Sequence, residues 1–149
     1  MCRDQSYMKQ ALALAKQAST DNEVPVGAIV VAQDEVIGRG YNRSIQDCDP
    51  TAHAEIIALR EAAKTLHNYR LADCELYVTI EPCAMCVGAM LHARIRRVVF
   101  GATEPRAGAL TSKMKMMDMP HFNHTFDWQG GVLEQACGDL MKDFFRERR

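Results

Sequence analysis

The sequence of 149 residues has no long apolar run, no excess of either charge and no internal repeat. No stretch approaches the roughly 20 apolar residues that a membrane-spanning helix needs. Eighteen lysines and arginines face 19 aspartates and glutamates, which excludes a strongly cationic coat for non-specific nucleic-acid binding but leaves room for a local basic patch. Because no linker or low-complexity tract divides the chain, we expect one globular domain over residues 1–149.

The first residues of the sequence are not apolar, and its cysteines form no regular framework. Met1–Gln5 is polar and continues into a helical pattern, which is not typical of a signal peptide. Of six cysteines, only Cys83 and Cys86 are close together, so we expect a cytoplasmic protein without structural disulfides. Cys74 and Cys137 lie within apolar patterns and are expected to be buried thiols.

The hydrophobic periodicity predicts an α/β fold, with helices on the faces of a central sheet. The predicted helices cover residues 7–19, 52–66 and 83–92, and a fourth presents Cys137, Leu140, Met141, Phe144 and Phe145 on one face; the predicted strands cover 25–32, 36–38, 76–80 and 97–100. Strand, helix and strand in succession at 76–100 predict a parallel crossover. We expect residues 101–123 to form a long functional loop, whose Met- and Lys-rich part, 110–119, is solvated or faces a second subunit.

Two separated clusters carry the chemistry of the sequence. His53–Glu55 begins one predicted helix, and Pro82–Cys86 begins the next helix along the chain. Two cysteines on the first turn of a helix can point at one centre, and His53 can supply a third ligand from the other helix. One histidine and two thiolates, with a fourth position open for water, are typical of a catalytic zinc site. The partial positive charge of a helix N-terminus favours the thiolate form of both cysteines.

Glu55 follows His53 by two residues, which is about 200° around a regular helix. At a helix start the geometry is looser, and a carboxylate there can reach over the metal rather than bind it. We therefore expect Glu55 to act as a general acid and base on a water whose pKa zinc lowers to about 7.

Two other readings of the paired cysteines are open. A thioredoxin-like redox pair leaves no role for His53 and Glu55. A structural zinc site needs a fourth protein ligand, and the histidines at positions 67, 92, 121 and 124 are not at a paired-ligand spacing. Both readings are therefore disfavoured.

The pattern His-x-Glu followed by Pro-Cys-x-x-Cys resembles the zinc-dependent nucleobase deaminases. Within that superfamily the chain is similar, almost end to end, to the bacterial tRNA-specific adenosine deaminases. The resemblance is carried by Asn22–Ala28, Tyr41–Arg43, Asp49–Ile56, Asn68–Leu71, Leu76–Thr79, Glu81–Cys86, Arg97–Ala102 and Asp143–Arg146. It implies a three-layer α/β/α cytidine-deaminase-like fold with a mixed central sheet.

The resemblance implies a role for each matching residue. His53, Cys83 and Cys86 match the ligands of one zinc ion per subunit, and Glu55 matches the proton shuttle. Asn42 matches a residue that hydrogen-bonds the target base. The remaining implied substrate contacts are the backbone of Ala54, the pocket walls Val26 and Pro82, the entrance pair Asn123 and His124, and the C-terminal residues Phe145 and Arg146 beside Phe144. Glu104 stands where the bacterial relatives usually have aspartate, which moves the acceptor by one methylene.

The implied reaction is hydrolytic deamination of the wobble adenosine of a tRNA anticodon stem-loop to inosine. Zinc-bound hydroxide attacks carbon 6 of an adenine turned out of its stack, while Glu55 moves the proton. A homodimer without membrane association is also implied. The candidates for a local basic surface are Arg43, Arg70, Arg94, Arg96, Arg97, Lys113, Lys115 and the terminal arginines.

Two alternatives remain at this point. A zinc deaminase of free cytosine, cytidine or guanine fits the zinc ligands equally well, but it does not account for Asn42, Asn123–His124 and Phe144–Arg146. A silent subunit that binds zinc and RNA is the other alternative, and the intact Glu55 argues against it.

Overall fold

The computed structural model describes residues 2–120 and 124–148, which contain a mixed five-stranded sheet with helices packed on it. The elements are α1 (Arg3–Thr20), β1 (Gly27–Ala32), β2 (Glu35–Tyr41), α2 (Ala54–Leu66), β3 (Glu75–Ile80), α3 (Ala84–Ala93), β4 (Arg97–Ala102), a 3-10 helix (Met116–Asp118), β5 (Asp127–Gln129) and α4 (Glu134–Arg146). The strand order in the sheet is β2-β1-β3-β4-β5. Strand β1 pairs antiparallel with β2 and β3, whereas β3, β4 and β5 are parallel to one another. None of the described helices is long and apolar enough to span a membrane.

The two faces of the sheet carry separate cores. Successive side chains of a strand point to opposite faces, so Ala28 and Val30 of β1 pack with α2 and α3. Ile29 and Val31 pack on the other face, where Met8 of α1 and residues of α4 cover the sheet. The expected α/β/α layering and the parallel crossover between β3 and β4 are thus confirmed.

Glycines in β2 allow the close approach of α2. A Cβ atom at Gly40 would overlap the carbonyl oxygen of Ala54, and one at Gly38 would overlap that of Ala58. The first turn of α2 therefore lies directly against the end of β2. This contact places His53 and Glu55 beside the sheet.

Most predicted elements are present, and both Cys74 and Cys137 are buried. The short edge strand β5 was not predicted, because its three residues are exposed and show no apolar alternation. It forms through parallel pairing with β4, where Trp128 lies opposite Val98 and stacks on the Phe100 ring.

Two expectations about the C-terminal third are wrong in part. In the segment 110–119, Leu110 and Met116 are buried in the core, whereas residues 112–115 and Asp118 are exposed. In α4, Phe144 is buried but Phe145 is 47% exposed. The helix buries a stripe narrower than the predicted face, and this leaves the Phe145 ring free at the surface.

Candidate metal centre and substrate groove

One edge of the sheet collects the functional side chains. The start of β1 pairs with the end of β2 at Gly27 and Tyr41, and the end of β3 pairs with the end of β4 at Ile80 and Ala102. Because β1 is antiparallel to β3, all four of these ends lie together. We call this edge, marked by Val26, Asn42, Glu81 and Ala102, the site edge.

The three predicted metal ligands meet at the site edge. His53 is the N-cap of α2 and Cys83 the N-cap of α3, both with extended backbone. The Nδ1 atom of His53 lies 3.6 Å from the Sγ of Cys83 and 3.5 Å from the Sγ of Cys86. All three donor atoms lie within 4.8 Å of one another. Two helix N-termini therefore direct one nitrogen and two sulfurs at a common point.

The spacing of these donors fits zinc. With Zn–S bonds of about 2.3 Å and Zn–N bonds of about 2.0 Å, tetrahedral ligands stand about 3.5 Å apart. The two nitrogen–sulfur distances, 3.6 and 3.5 Å, match that separation. In the described part of the chain, no fourth histidine, cysteine or carboxylate joins the group. The set is thus a three-ligand site with an open position, rather than a closed structural site.

The two thiols differ in acidity. A hydrogen bond from the Cys86 thiol, together with one from His53, lowers the pKa of Cys83 to about 4. The hydrogen bond to Cys83 raises the pKa of Cys86, and burial raises it further. The contact with Cys83 also raises the pKa of His53. The lowered pKa favours the thiolate form of Cys83, which is the form that binds a divalent metal.

Glu55 lies in the first turn of α2, where it is 4% exposed and contacts the Cys86 thiol. Burial raises the pKa of its carboxyl to about 7. The regular helical spacing that would separate Glu55 from His53 does not apply, because His53 precedes the helix in extended backbone. A carboxyl that titrates near neutral pH can both accept and release a proton there.

Four further predicted residues also lie at the site edge. The backbone N–H of Asn42 donates to the Val26 carbonyl over 3.1 Å, and its Oδ1 accepts from the Ser44 hydroxyl over 3.1 Å. Ala54 begins α2, and Pro82 is buried between Glu81 and the ligand Cys83. The structure therefore brings Val26, Asn42, Ala54 and Pro82 to the edge that carries the metal donors.

A groove of about 1200 Å³ opens beside this edge, between the end of β4 and α4. Glu104, Phe145 and Arg146 line it, and none of the metal donors does. Arg106, Lys142 and Arg148 add positive charge to its wall, while Glu134 and Asp139 add negative charge. The groove therefore combines an exposed aromatic ring with charges of both signs, from four basic and three acidic side chains.

His124 lies at the opposite end of the sheet. Its Nε2 atom lies 3.1 Å from the carbonyl oxygen of Ile95, which precedes β4, in a smaller pocket shared with Arg70, Arg94 and Arg96. Its predicted partner at the entrance, Asn123, is outside the described residues. Within one subunit, His124 is therefore not close to the metal donors.

The chain is similar to proteins of a known family. Residues 1–102 match the family described as the cytidine and deoxycytidylate deaminase zinc-binding region. The chain belongs to this deaminase family. The matched range contains His53, Glu55, Cys83 and Cys86.

Individual relatives narrow the resemblance within the deaminase family. The tRNA-specific adenosine deaminase of Haemophilus influenzae is 49% identical over 147 residues, which cover 98% of this chain and 85% of the relative. That of Bacillus subtilis is 42% identical over 149 residues, 100% of this chain and 92% of the relative. A solved structure from a study of A-to-I editing by tRNA:A34 deaminases at the wobble position is 40% identical, with a TM-score of 0.89 over 91% of this chain and 98% of the other.

Two buried carboxylates of this deaminase were not foreseen. Glu23 is almost fully buried and accepts the backbone N–H groups of Ile45 and Gln46, beyond Asn42. Glu81 is 2% exposed and accepts N–H groups from the segment that follows β4. In the sequence each acid looks like a polar residue at the border of an apolar run, and only tertiary contacts supply its donors.

Proposed function

We propose that this protein deaminates the wobble adenosine in the anticodon loop of a tRNA to inosine. The chemistry is supported by the His53, Cys83 and Cys86 donors beside a buried Glu55. The substrate assignment is carried by one observation, the 49% and 42% identity to tRNA-specific adenosine deaminases along nearly the whole chain.

The metal proposed for the site is one zinc ion per subunit, held by His53, Cys83 and Cys86. When bound there, zinc supplies a Lewis acid that makes water a nucleophile at neutral pH. The cysteines must both be deprotonated to bind it, so metal binding releases protons. The lowered pKa of Cys83 eases loss of the first proton, whereas the raised pKa of Cys86 opposes loss of the second, which metal binding must drive.

Glu55 is the proposed proton carrier. Glu55 is buried in the first turn of α2 beside the metal donors, where its carboxylate takes a proton from the attacking water and its acid form gives that proton to ring nitrogen 1. In a second transfer, Glu55 takes the proton of the new hydroxyl group on carbon 6 and gives it to the exocyclic amino group. The carbon–nitrogen bond then breaks, and ammonia leaves as the carbon–oxygen bond of inosine is completed.

The base is held by residues of the site edge. We assign Asn42 to hydrogen bonding of the flipped adenine, Val26 and Pro82 to the pocket walls, and the Ala54 backbone to orientation of the base. Adenine must leave its stack to reach such a pocket, and this costs least in a single-stranded loop. Sequence-specific recognition of RNA generally uses unstacked loop bases for this reason.

The flanking nucleotides are assigned to the groove of Glu104, Phe145 and Arg146. Phe145 offers a ring on which a base can stack, and Arg146 offers charge for a phosphate. Asn123 and His124 remain proposed entrance residues. Because His124 lies at the far end of the sheet, such a role requires that the second subunit of the proposed homodimer supplies this residue. We also propose that the protein is cytoplasmic.

A substrate panel tests this function. Zinc-loaded protein is incubated with an anticodon hairpin that carries a wobble adenosine and, separately, with adenosine, cytidine, cytosine and guanine. Inosine from the hairpin alone supports the proposal. Ammonia from a free base or nucleoside with an unchanged hairpin would keep the zinc chemistry and overturn the RNA assignment.

A further inference from the structure

The carboxylate of Glu81 accepts five hydrogen bonds, all from the segment that follows β4. One oxygen, Oε1, accepts the backbone N–H of Glu104 over 3.1 Å and the hydroxyl of Ser112. The other, Oε2, accepts the N–H groups of Leu110, Thr111 and Ser112 over 3.0, 2.8 and 3.0 Å. Among the described residues, these last three N–H groups have no other backbone acceptor. Both partners would therefore be left unsatisfied without each other.

The segment held in this way, residues 104–112, connects the groove with the metal centre. At its beginning, Glu104 lines the groove. Further along, Gly108 forms an isolated β-bridge with the ligand Cys83, and the N–H of Ala109 donates to the Pro82 carbonyl over 2.9 Å. Glu81 thus accepts hydrogen bonds from both ends of this segment. The segment contacts the proposed metal ligand Cys83 through Gly108 and lines the groove through Glu104.

The packing around the carboxylate leaves no slack. A Cβ atom at Gly108 would overlap the Glu81 carboxylate itself. The segment consequently lies directly on the charged group rather than on an intervening side chain. A charge buried this deeply is tolerated only when its hydrogen bonds are complete, which makes the arrangement sensitive to the loss of one acceptor.

Glu75, at the other end of β3, provides a matched comparison. It is 3% exposed and is satisfied by Arg3 over 2.6 Å and Arg97 over 3.0 Å. Both acids are buried and charged, and both are on or directly after the same strand. Glu75 also pairs with Arg96 over 3.4 Å, but it contacts no residue of the site edge, so its loss leaves the hydrogen bonds to residues 104–112 in place.

We propose that Glu81 is a positioning residue that fixes residues 104–112 between the metal centre and the groove, and thereby sets the affinity for the RNA strand. This inference rests on the proposed function. Because the carboxylate acts through the segment and does not touch the reacting atoms, its loss raises KM for the hairpin more than it lowers kcat.

The test compares Glu81→Gln with Glu75→Gln. In Glu81→Gln an amide NH₂ faces donors, so we expect KM for the anticodon hairpin to rise on the order of tenfold with a smaller change in kcat. Zinc content stays at the wild-type level, and backbone amide exchange at Leu110, Thr111 and Ser112 becomes faster. Glu75→Gln lowers the melting temperature and leaves this exchange unchanged.

Ser112→Ala keeps the inference falsifiable if Glu81→Gln does not fold. It removes one hydroxyl donor, so a KM increase of about two- to threefold is expected. The inference would be overturned if Glu81→Gln changed neither KM nor the amide exchange. If only Ser112→Ala folds, the same result in that variant would overturn it. Wild-type protein that leaves the hairpin unmodified would instead overturn the proposed function, and the exchange measurement would still decide whether Glu81 holds the segment.

Discussion

The Sγ atom of Cys86 lies 3.5 Å from the Nδ1 atom of His53, although 33 residues separate them in the chain. The contact exists because α2 and α3 begin at the same edge of the sheet, each with a metal donor as its N-cap. The metal centre thus depends on two helix starts rather than on one local motif.

Removal of one thiol should empty the site. Cys86→Ala leaves two donors, so we expect zinc content to fall from about one ion per chain to nearly none. Cys74→Ala is the matched control, because Cys74 is equally buried but remote from the other donors. Elemental analysis of both purified variants gives the answer, and full zinc occupancy in Cys86→Ala would refute the ligand set.

Glu55→Gln should separate chemistry from folding. The amide keeps the shape of the side chain but cannot carry the proton, so we expect kcat to fall by about 10²–10⁴-fold. Zinc content and melting temperature should stay close to the wild-type values. Glu61→Gln, an exposed change on the same helix, should have no effect on kcat. Comparable turnover in Glu55→Gln and wild type would remove Glu55 from the mechanism.

Gly40→Ala tests whether the contact between β2 and α2 positions the metal centre. The added Cβ would overlap the Ala54 carbonyl, and we expect a loss of about 1–3 kcal/mol in stability together with weaker zinc binding. Gly138→Ala is the control, since its Cβ would meet only Ala102 at an ordinary 3.7 Å. Alanine within a helix is favoured over glycine by about 0.5–1 kcal/mol, so that variant should be slightly more stable. Equal effects of the two changes on melting temperature and zinc affinity would contradict the account.

The sequence predicts the parts of the fold that depend on local periodicity. Strand β3 and helices α2 and α3 have strong patterns and were correctly placed, and the ligands at their ends followed from the spacing of His53, Cys83 and Cys86. The extended N-cap at His53 explains why the regular 200° spacing does not apply to Glu55, in agreement with the looser geometry expected at a helix start.

Features set by tertiary contact were beyond the sequence. Strand β5 exists because Asp127–Gln129 pairs with β4, and its own residues show little β pattern. Glu81 is buried because residues distant in the chain supply its donors. Met116 is in the core because the loop folds back over the sheet, which a Met- and Lys-rich composition does not reveal.

The ion pair between Asp4 and Arg97 predicts an acid-dependent part of the stability. Two hydrogen bonds from the Arg97 guanidinium, at 3.0 and 2.7 Å, hold the pKa of Asp4 below its ordinary value of 3.8. A lowered pKa in the folded state means that this stabilisation is present above the ordinary value and is lost as the pH falls through the folded one.

Asp4→Asn should therefore be less stable than wild type at pH 7, by about 1.5–3 kcal/mol for hydrogen bonds to charged groups. The difference should shrink as the pH falls below 3.8 and through the lowered folded-state pKa of Asp4, because the wild-type carboxyl then becomes protonated as well. Denaturant unfolding of both proteins at each pH measures it, with the exposed Asp139→Asn as a control. A difference that stays constant with pH would show that the carboxylate charge of Asp4 is not responsible.

The most direct test of the central claim is the position of the product. Zinc-loaded wild-type protein is incubated with two anticodon hairpins, one with adenosine at the wobble position and one with adenosine only elsewhere in the loop, and inosine is located by sequencing. The account predicts inosine at the wobble position of the first hairpin and none in the second. No inosine in either hairpin, with zinc bound and Glu55 intact, would contradict it.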